Sequence, residues 1–382
     1  MKIVIAPDSY KDSLSAPEVC ETIKSGIRLV NSGIETDSMP IADGGEGTVR
    51  VLAAATNGSL FETVVVGPLG EEIKAEWGIL GDGNTAVIEM AAASGVPLLP
   101  ENKRNPLHTT TFGTGQLIRE AVNKGCKRII VGIGGSATTD FGTGMAQALG
   151  VRFRNSRNEE ITEYMSGRLM GEVAAIDMSG LGDSLKGISI SVACDVTNPL
   201  LGEKGAVYVY SPQKGATPEM CEVLESNMEH ISRLAADRLR DVRSIPGAGA
   251  AGGLGGGLIA FLNARLLPGV DLVLEAARFE QRIKDADLII TGEGKIDNQT
   301  IYGKVISGIC GSAKQFNVPV IAIVGSLHAS FQDLRKIGLT ACFSICSGPM
   351  SLDSAKENAR ELLLRTTCEV MNMVLLNFHN LK

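Results

Sequence analysis

Histidine and aromatic side chains are scarce in this 382-residue chain, which has four histidines and only 4% Phe, Trp and Tyr. The eight cysteines form no Cys-x-x-Cys pair, and no histidine lies near the closest spacing, Cys342 and Cys346. A zinc or other transition-metal centre is therefore not expected, and the cysteines read as reduced core residues. His108, in the run from Pro106 to Thr111, is a lone histidine within a polar stretch, and no Ser/His/Asp arrangement surrounds it. Positive charge is also short, with Lys+Arg 36 against Asp+Glu 43 and a net charge of −7. No broad basic field is available for a nucleic-acid backbone, although nucleotides, which need only local N–H groups and a few cations, stay open. No uninterrupted apolar run is long enough to span a bilayer. The opening run Lys2 to Ala6 stops at Pro7 and a charged segment, which argues against a signal peptide and for a first strand in a cytoplasmic protein. A Walker A loop is missing too, because Gly303-Lys304 is followed by Val305 without the upstream glycine.

What the chain does have is length, 44% hydrophobic residues and 45 glycines. That length favours two domains with aliphatic cores and many tight turns. A buried strand at 2–6 is followed by a helix from Ser15 to Val30, with Ser15 as N-cap, Pro17 in the first turn and Glu18 closing a capping box. A strand near 36–42 and a helix near 46–56 complete a βαβα opening, the rhythm of a parallel sheet. Strands at 61–66, 73–80 and 85–90, joined by tight Gly-containing turns, then suggest a mixed sheet. The α/β rhythm returns from Thr114 to the end. The predicted fold is α/β: a parallel, Rossmann- or flavodoxin-like sheet domain (1–60, 108–150 and 246–382) interrupted by a second mixed α/β domain (61–107 and 151–245).

Polar clusters follow the predicted strands, where open α/β sheets present ligands. Asp8, Ser9 and Lys11 come after the first, with carboxylate and ammonium chemistry suited to a hydroxyl, a phosphate or a carboxylate. Asp43, Gly44, Gly45 and Glu46 come after the second, where glycines permit close backbone approach and a helix begins. Gly134, Gly135, Ser136 and Thr138, with Asp140 behind them, suit a phosphate cradle with a metal-linked carboxylate. The same segment, Gly132 to Ala137, also has the Gly-x-Gly-x-x-Ala spacing of a dinucleotide fingerprint, with Arg154 near the position of an NADP partner. Asp195 and Asn198 mark another strand end. Gly292, Glu293, Gly294, Lys295 and Asp297 mark a further one, with Gln299 and Lys304 close behind. This inventory of acids, cations and glycine donors fits phosphoryl transfer. The stretch Gly247 to Gly257 fits either a phosphate cradle or close helix packing.

In this order the segments PDSYK, ADGGEG, VGPLG, AVIEMAAASG, TTFGTGQLI, GIGGSATTD, ACDVTNPLLG, QKGAT, GAGAAGGLG and ITGEGKIDNQTIYGK resemble the bacterial glycerate kinase family over essentially the whole chain. Four positions depart from its common pattern: Asp12 and Phe141 stand where glycine is frequent, Thr139 where asparagine is, and Lys295 where arginine is. The resemblance implies a two-domain enzyme with a cleft between domains, ATP and Mg²⁺ as cofactors, and D-glycerate phosphorylated at its 2- or 3-hydroxyl. Within it, Asp195 is the expected catalytic carboxylate, with Lys11 and Asp43 beside it. Asp8, Ser9, Gly44, Gly45 and Glu46 are expected at the substrate. Gly134, Gly135, Ser136, Thr138, Gly292, Gly294, Lys295, Gln299 and Lys304 are expected at ATP, and Asp140, Glu293 and Asp297 at the metal. Asp43 or Asp8 as the base, with Asp195 on the metal, is the competing assignment. A nicotinamide-dependent oxidoreductase and a non-catalytic organic-acid sensor are the competing functions.

Overall fold

The computed structural model describes residues 1–45, 47–182, 185–296 and 305–379. Its strands are Lys2–Ile5 (β1), Glu35–Ser38 (β2), Ser59–Val66 (β3), Glu72–Ile79 (β4), Thr85–Glu89 (β5), Arg128–Gly132 (β6), Arg152–Arg154 (β7), Ala175–Asp177 (β8), Ser189–Ala193 (β9), Arg265–Leu267 (β10), Leu288–Thr291 (β11), Lys295–Ile296 (β12), Val320–Val324 (β13), Ser326–Leu327 (β14) and Ala341–Ser344 (β15). The chain forms two compact units, one of residues 1–43, 54–56 and 270–382, the other of residues 44–53 and 57–269.

The first unit holds a parallel sheet in the order β15-β13-β11-β1-β2. Numbered within the unit this is 2-1-3-4-5, the flavodoxin-like order, whose direction of winding reverses between β1 and β11. Apart from Lys2 and Thr291 at their ends, β1, β11 and β13 are apolar, as strands covered on both faces are. The helix Ala16–Val30 starts as the sequence predicts: the Glu18 carboxylate accepts the Ser15 backbone N–H at 2.9 Å. Its apolar face, Val19, Ile23 and Ile27, buries against Ile3, Ile5 and Ile290 and against Leu363 and Met371 of the helix Ala359–His379.

The second unit holds a mixed sheet in the order β10-β9-β6-β5-β4-β3. β10, β9, β6 and β5 run parallel, whereas β5, β4 and β3 form the antiparallel meander that the glycine turns predict. One boundary expectation needs correction. Residues 44–53, 57–60, 108–150 and 246–269 belong to this unit; β6 pairs in parallel with both β5 and β9, and β10 pairs with β9. The helix Leu254–Leu262 is buried over nearly its whole length, with Leu254 and Leu258 packing against Val131 and Val192 of the sheet. Among the described residues no helix is long and apolar enough to cross a membrane.

Candidate functional site

In the first unit the winding reverses at β1 and β11, and two predicted clusters meet there. The Thr291 hydroxyl donates to Ala6 O at 2.8 Å, and the Asp8 N–H donates to Gly292 O at 2.8 Å. Tyr10 is buried and its hydroxyl donates to Ile323 O at 2.8 Å, tying the loop to β13 as well. Burial pushes its phenol far above the ordinary range, so Tyr10 is a fixed structural donor. Glycine is required opposite it: a Cβ on Gly292 would stand 2.1 Å from Ile323 O, and one on Gly294 3.1 Å from Lys11 N. Asp8, Ser9, Lys11, Gly292, Glu293, Gly294 and Lys295 are therefore gathered at one end of this sheet. Ser9, Lys11 and Lys295 are exposed and Glu293 is buried. Asp43, also exposed, is the last residue of this unit's first segment. Glu46, Asp297, Gln299 and Lys304 lie outside the described residues.

In the second unit the strand ends converge in the same way. Asp195 follows β9 directly, is exposed, and accepts the Gly269 N–H at 2.9 Å. Gly44 sits against this corner with φ +91°, where a Cβ would be 2.9 Å from Ala193 Cβ and 2.8 Å from Gly269 Cα. Only glycine meets both conditions. Glu89, the last residue of β5, accepts the N–H groups of Gly47 at 3.2 Å and Val49 at 2.8 Å. It thereby ties Gly47 and Val49 at the start of the helix Thr48–Thr56, a placement the helix dipole favours. The sequence reading passed over Glu89, although an acid ending an apolar strand was the signal to look for. Asp195, Gly44, Gly45, Gly134 and Gly135 thus lie around neighbouring strand ends of one sheet.

The loop after β6 is held from several sides. Gly134 and Gly135 are exposed, while Ser136, Ala137, Thr138, Thr139 and Asp140 are buried. Thr109 Oγ1 donates to Ala137 O at 2.9 Å, Ala137 N donates to Ser94 O, and Thr139 and Ser211 share a hydroxyl contact of 3.0 Å. Thr109, Thr110 and Thr111 are at most 2% exposed. The polar run beside His108 is consequently a set of buried anchors, and His108 itself is exposed.

Asp140 is placed where a metal ligand would not be. It is 0% exposed and accepts four hydrogen bonds, from Thr111 N at 2.9 Å, Thr111 Oγ1 at 2.7 Å, Gly142 N at 3.1 Å and Gly144 N at 3.3 Å. Burial pushes its carboxyl up against the pull of those donors. Both oxygens are committed to protein, so the geometry is that of a loop anchor. The oxidoreductase fingerprint fails for a related reason. A dinucleotide loop must open directly onto a helix N-terminus, whereas here the helix Thr143–Ala148 begins well past Ala137. Arg154 lies on the short β7, which pairs with β8 away from the mixed sheet, and donates to Asn158 O at 3.1 Å.

The glycine-rich stretch from Gly247 proves to be packing. A Cβ on Gly249 would be 2.1 Å from Pro199 O, on Gly252 2.0 Å from Thr138 O, and on Gly257 2.0 Å from Phe141 O. These glycines let one segment back both the loop after β6 and the turn after Asp195. Lys214, in the turn Pro212–Lys214, is a second residue the sequence reading missed as a site candidate. It is 2% exposed and donates to Ser136 Oγ at 2.7 Å and Thr138 O at 2.5 Å. Burial lowers its ammonium to about 7, with Asp140 as the opposing negative charge.

Comparison with known proteins places the whole chain in one family. The model of the glycerate kinase family matches residues 3–375. Glycerate kinase of Bacillus subtilis is 51% identical over 371 residues, 97% of each chain. Glycerate 2-kinase of Escherichia coli K12 is 47% identical and covers 100% of each chain. A crystal structure from Salmonella typhimurium LT2, of a protein provisionally called glycerate kinase 2, superposes with a TM-score of 0.91 at 47% identity over 99% of each chain. The chain belongs to the glycerate kinase family.

Proposed function

We propose that this chain transfers the γ-phosphoryl group of ATP to D-glycerate, at the 2-hydroxyl. The observation that carries the chemistry is the exposed Asp195 carboxylate, fixed by Gly269 N–H at a strand end that Gly44 closes. A carboxylate held in this way can accept the proton of an attacking hydroxyl. The choice of hydroxyl rests on the full-length relative named glycerate 2-kinase. To Asp43, Lys11, Asp8, Ser9, Gly44, Gly45 and Glu46 we assign binding of the organic acid. To Gly134, Gly135, Ser136, Thr138, Gly292, Gly294, Lys295, Gln299 and Lys304 we assign the nucleotide phosphates. Exposed glycine N–H groups and ammonium groups suit an anion in both sets. A reaction that consumes ATP and an organic acid fits the cytoplasm, where we place the enzyme.

Among the described residues no three His, Cys, Asp or Glu side chains form a metal-holding group. Carboxylates at strand ends beside glycine, such as Glu293, suit Mg²⁺, which takes one or two of them and completes its shell with water and phosphate oxygens. Glu293, flanked by Gly292 and Gly294 at the end of β11, is the described carboxylate we assign to it, with Asp297 as the second. When bound, Mg²⁺ neutralises charge on the phosphates.

Incubation of the protein with ATP, Mg²⁺ and D-glycerate should release ADP in a glycerate-dependent manner, and phosphorus NMR should show 2-phosphoglycerate. EDTA should stop the reaction. Glycerate binding without ADP release would instead favour a sensor, and a 3-phosphoglycerate product would overturn the choice of hydroxyl.

A further inference from the structure

We propose that Lys214 is a positioning residue for an oxyanion bound at Gly134–Ser136, acting through the Ser136 hydroxyl. This rests on reading the loop as an anion cradle, and it adds the part that charges and orients it.

Burying an ammonium costs several kcal/mol unless something uses its charge. Lys214 is held firmly in place for so expensive a group. Gly215, at φ +91°, closes its turn so tightly on Arg104 that a Cβ would be 2.4 Å from Arg104 O, and Ser211 at the start of the turn meets Thr139. The ammonium then lies under the loop, bonded to Ser136 Oγ and Thr138 O. An uncharged donor would hold those two oxygens as well, so packing alone does not call for lysine.

The hydrogen-bond inventory says what the charge does. In its ammonium form Lys214 has donors only, so Ser136 Oγ then accepts from it and turns its own proton elsewhere. Among the described residues that proton has no acceptor. Thr138 Oγ1, buried in the same loop, likewise has no hydrogen-bond partner among the described residues. Neither Gly134 nor Gly135 donates its N–H to another described backbone group, and both are exposed. The Ser136 hydroxyl, two exposed glycine N–H groups on the same loop and the cation bonded to Ser136 supply the donors that an oxyanion would complete. An arriving oxyanion completes the set and draws Lys214 into its ammonium form. Phosphate oxygens of the nucleotide and the carboxylate of the acid share this chemistry, and the test separates them.

The test measures dissociation constants of the full-length protein by calorimetry, for a non-hydrolysable ATP analogue with Mg²⁺ and, separately, for D-glycerate. Wild type is compared with Lys214→Met, Ser136→Ala and the double variant; Lys214→Gln replaces the methionine if that variant does not fold. Lys214→Met should weaken one ligand by roughly 10- to 100-fold, the span of a charge-assisted hydrogen bond, and leave the other within about twofold. Whichever ligand responds identifies the oxyanion. Ser136→Ala should weaken the same ligand at least as much, and the double variant should bind no worse than Ser136→Ala alone. Additive losses would show that Lys214 does not act through Ser136, which overturns the proposal. A silent Lys214→Met beside a weakened Ser136→Ala would reduce Lys214 to a structural prop and also overturn it, while the cradle stands. Silence in both variants would overturn the cradle itself.

Discussion

Asp195→Asn is expected to lower kcat by about 10² to 10⁴ while the binding of an ATP analogue changes little. Asparagine keeps the shape of the side chain and can still accept the Gly269 N–H, which in the native protein lies 2.9 Å from Oδ1. What it loses is the basic oxygen that would take the hydroxyl proton. Steady-state ADP release, with analogue affinity measured in parallel, separates loss of chemistry from loss of binding. Asp43→Asn serves as the comparison, since Asp43 is the other exposed carboxylate beside the Gly44 loop in sequence. Normal turnover in Asp195→Asn together with an inactive Asp43→Asn would transfer the role of base to Asp43.

The parallel sheet of the first unit was legible because β1, β11 and β13 are short, mainly apolar runs that alternate with helical stretches. The unit boundaries were not. A parallel strand reads alike whichever sheet it joins, and Arg128–Gly132 joined β5 and β9 through pairings distant in sequence. Two departures from the family's common pattern became intelligible only from backbone geometry. Asp12 has φ +59° and Phe141 φ +55°, and both stand where glycine is frequent because that region is nearly free of cost for glycine alone. Phe141 offsets the strain by burying its ring completely, 5.9 Å from that of Phe261. Lys214 was hidden for a different reason. A lysine in a Gln-Lys-Gly turn reads as solvated, and only the packing of Gly215 on Arg104 shows that the turn is closed over. Thr109–Thr111 form a polar stretch in the sequence, yet each hydroxyl can be satisfied locally and buried.

Replacing Asp140 tests the clearest disagreement between sequence and structure. As a metal ligand, Asp140 would contribute little to the folded protein without metal, and its removal would relieve a buried charge. As a loop anchor it satisfies three backbone N–H groups and the Thr111 hydroxyl, which in turn accepts Met145 N–H at 2.8 Å. Asp140→Ala would leave those buried donors without an acceptor, at about 1–3 kcal/mol each before relaxation. Partial relaxation brings the expected net loss to about 3–5 kcal/mol, the range for breaking a buried polar network. For a unit of this size that corresponds to a fall in Tm of about 8–15 °C. Asp140→Asn should lose nearly as much, because its amide NH₂ would face N–H donors. Both variants should be measured by calorimetric unfolding in EDTA, where a metal contribution is absent. A Tm at or above wild type in EDTA, with a raised Mg²⁺ requirement in the assay, would return Asp140 to the metal. A loss of Tm that Mg²⁺ does not alter would fix it as the anchor that holds Gly134–Thr139 in shape.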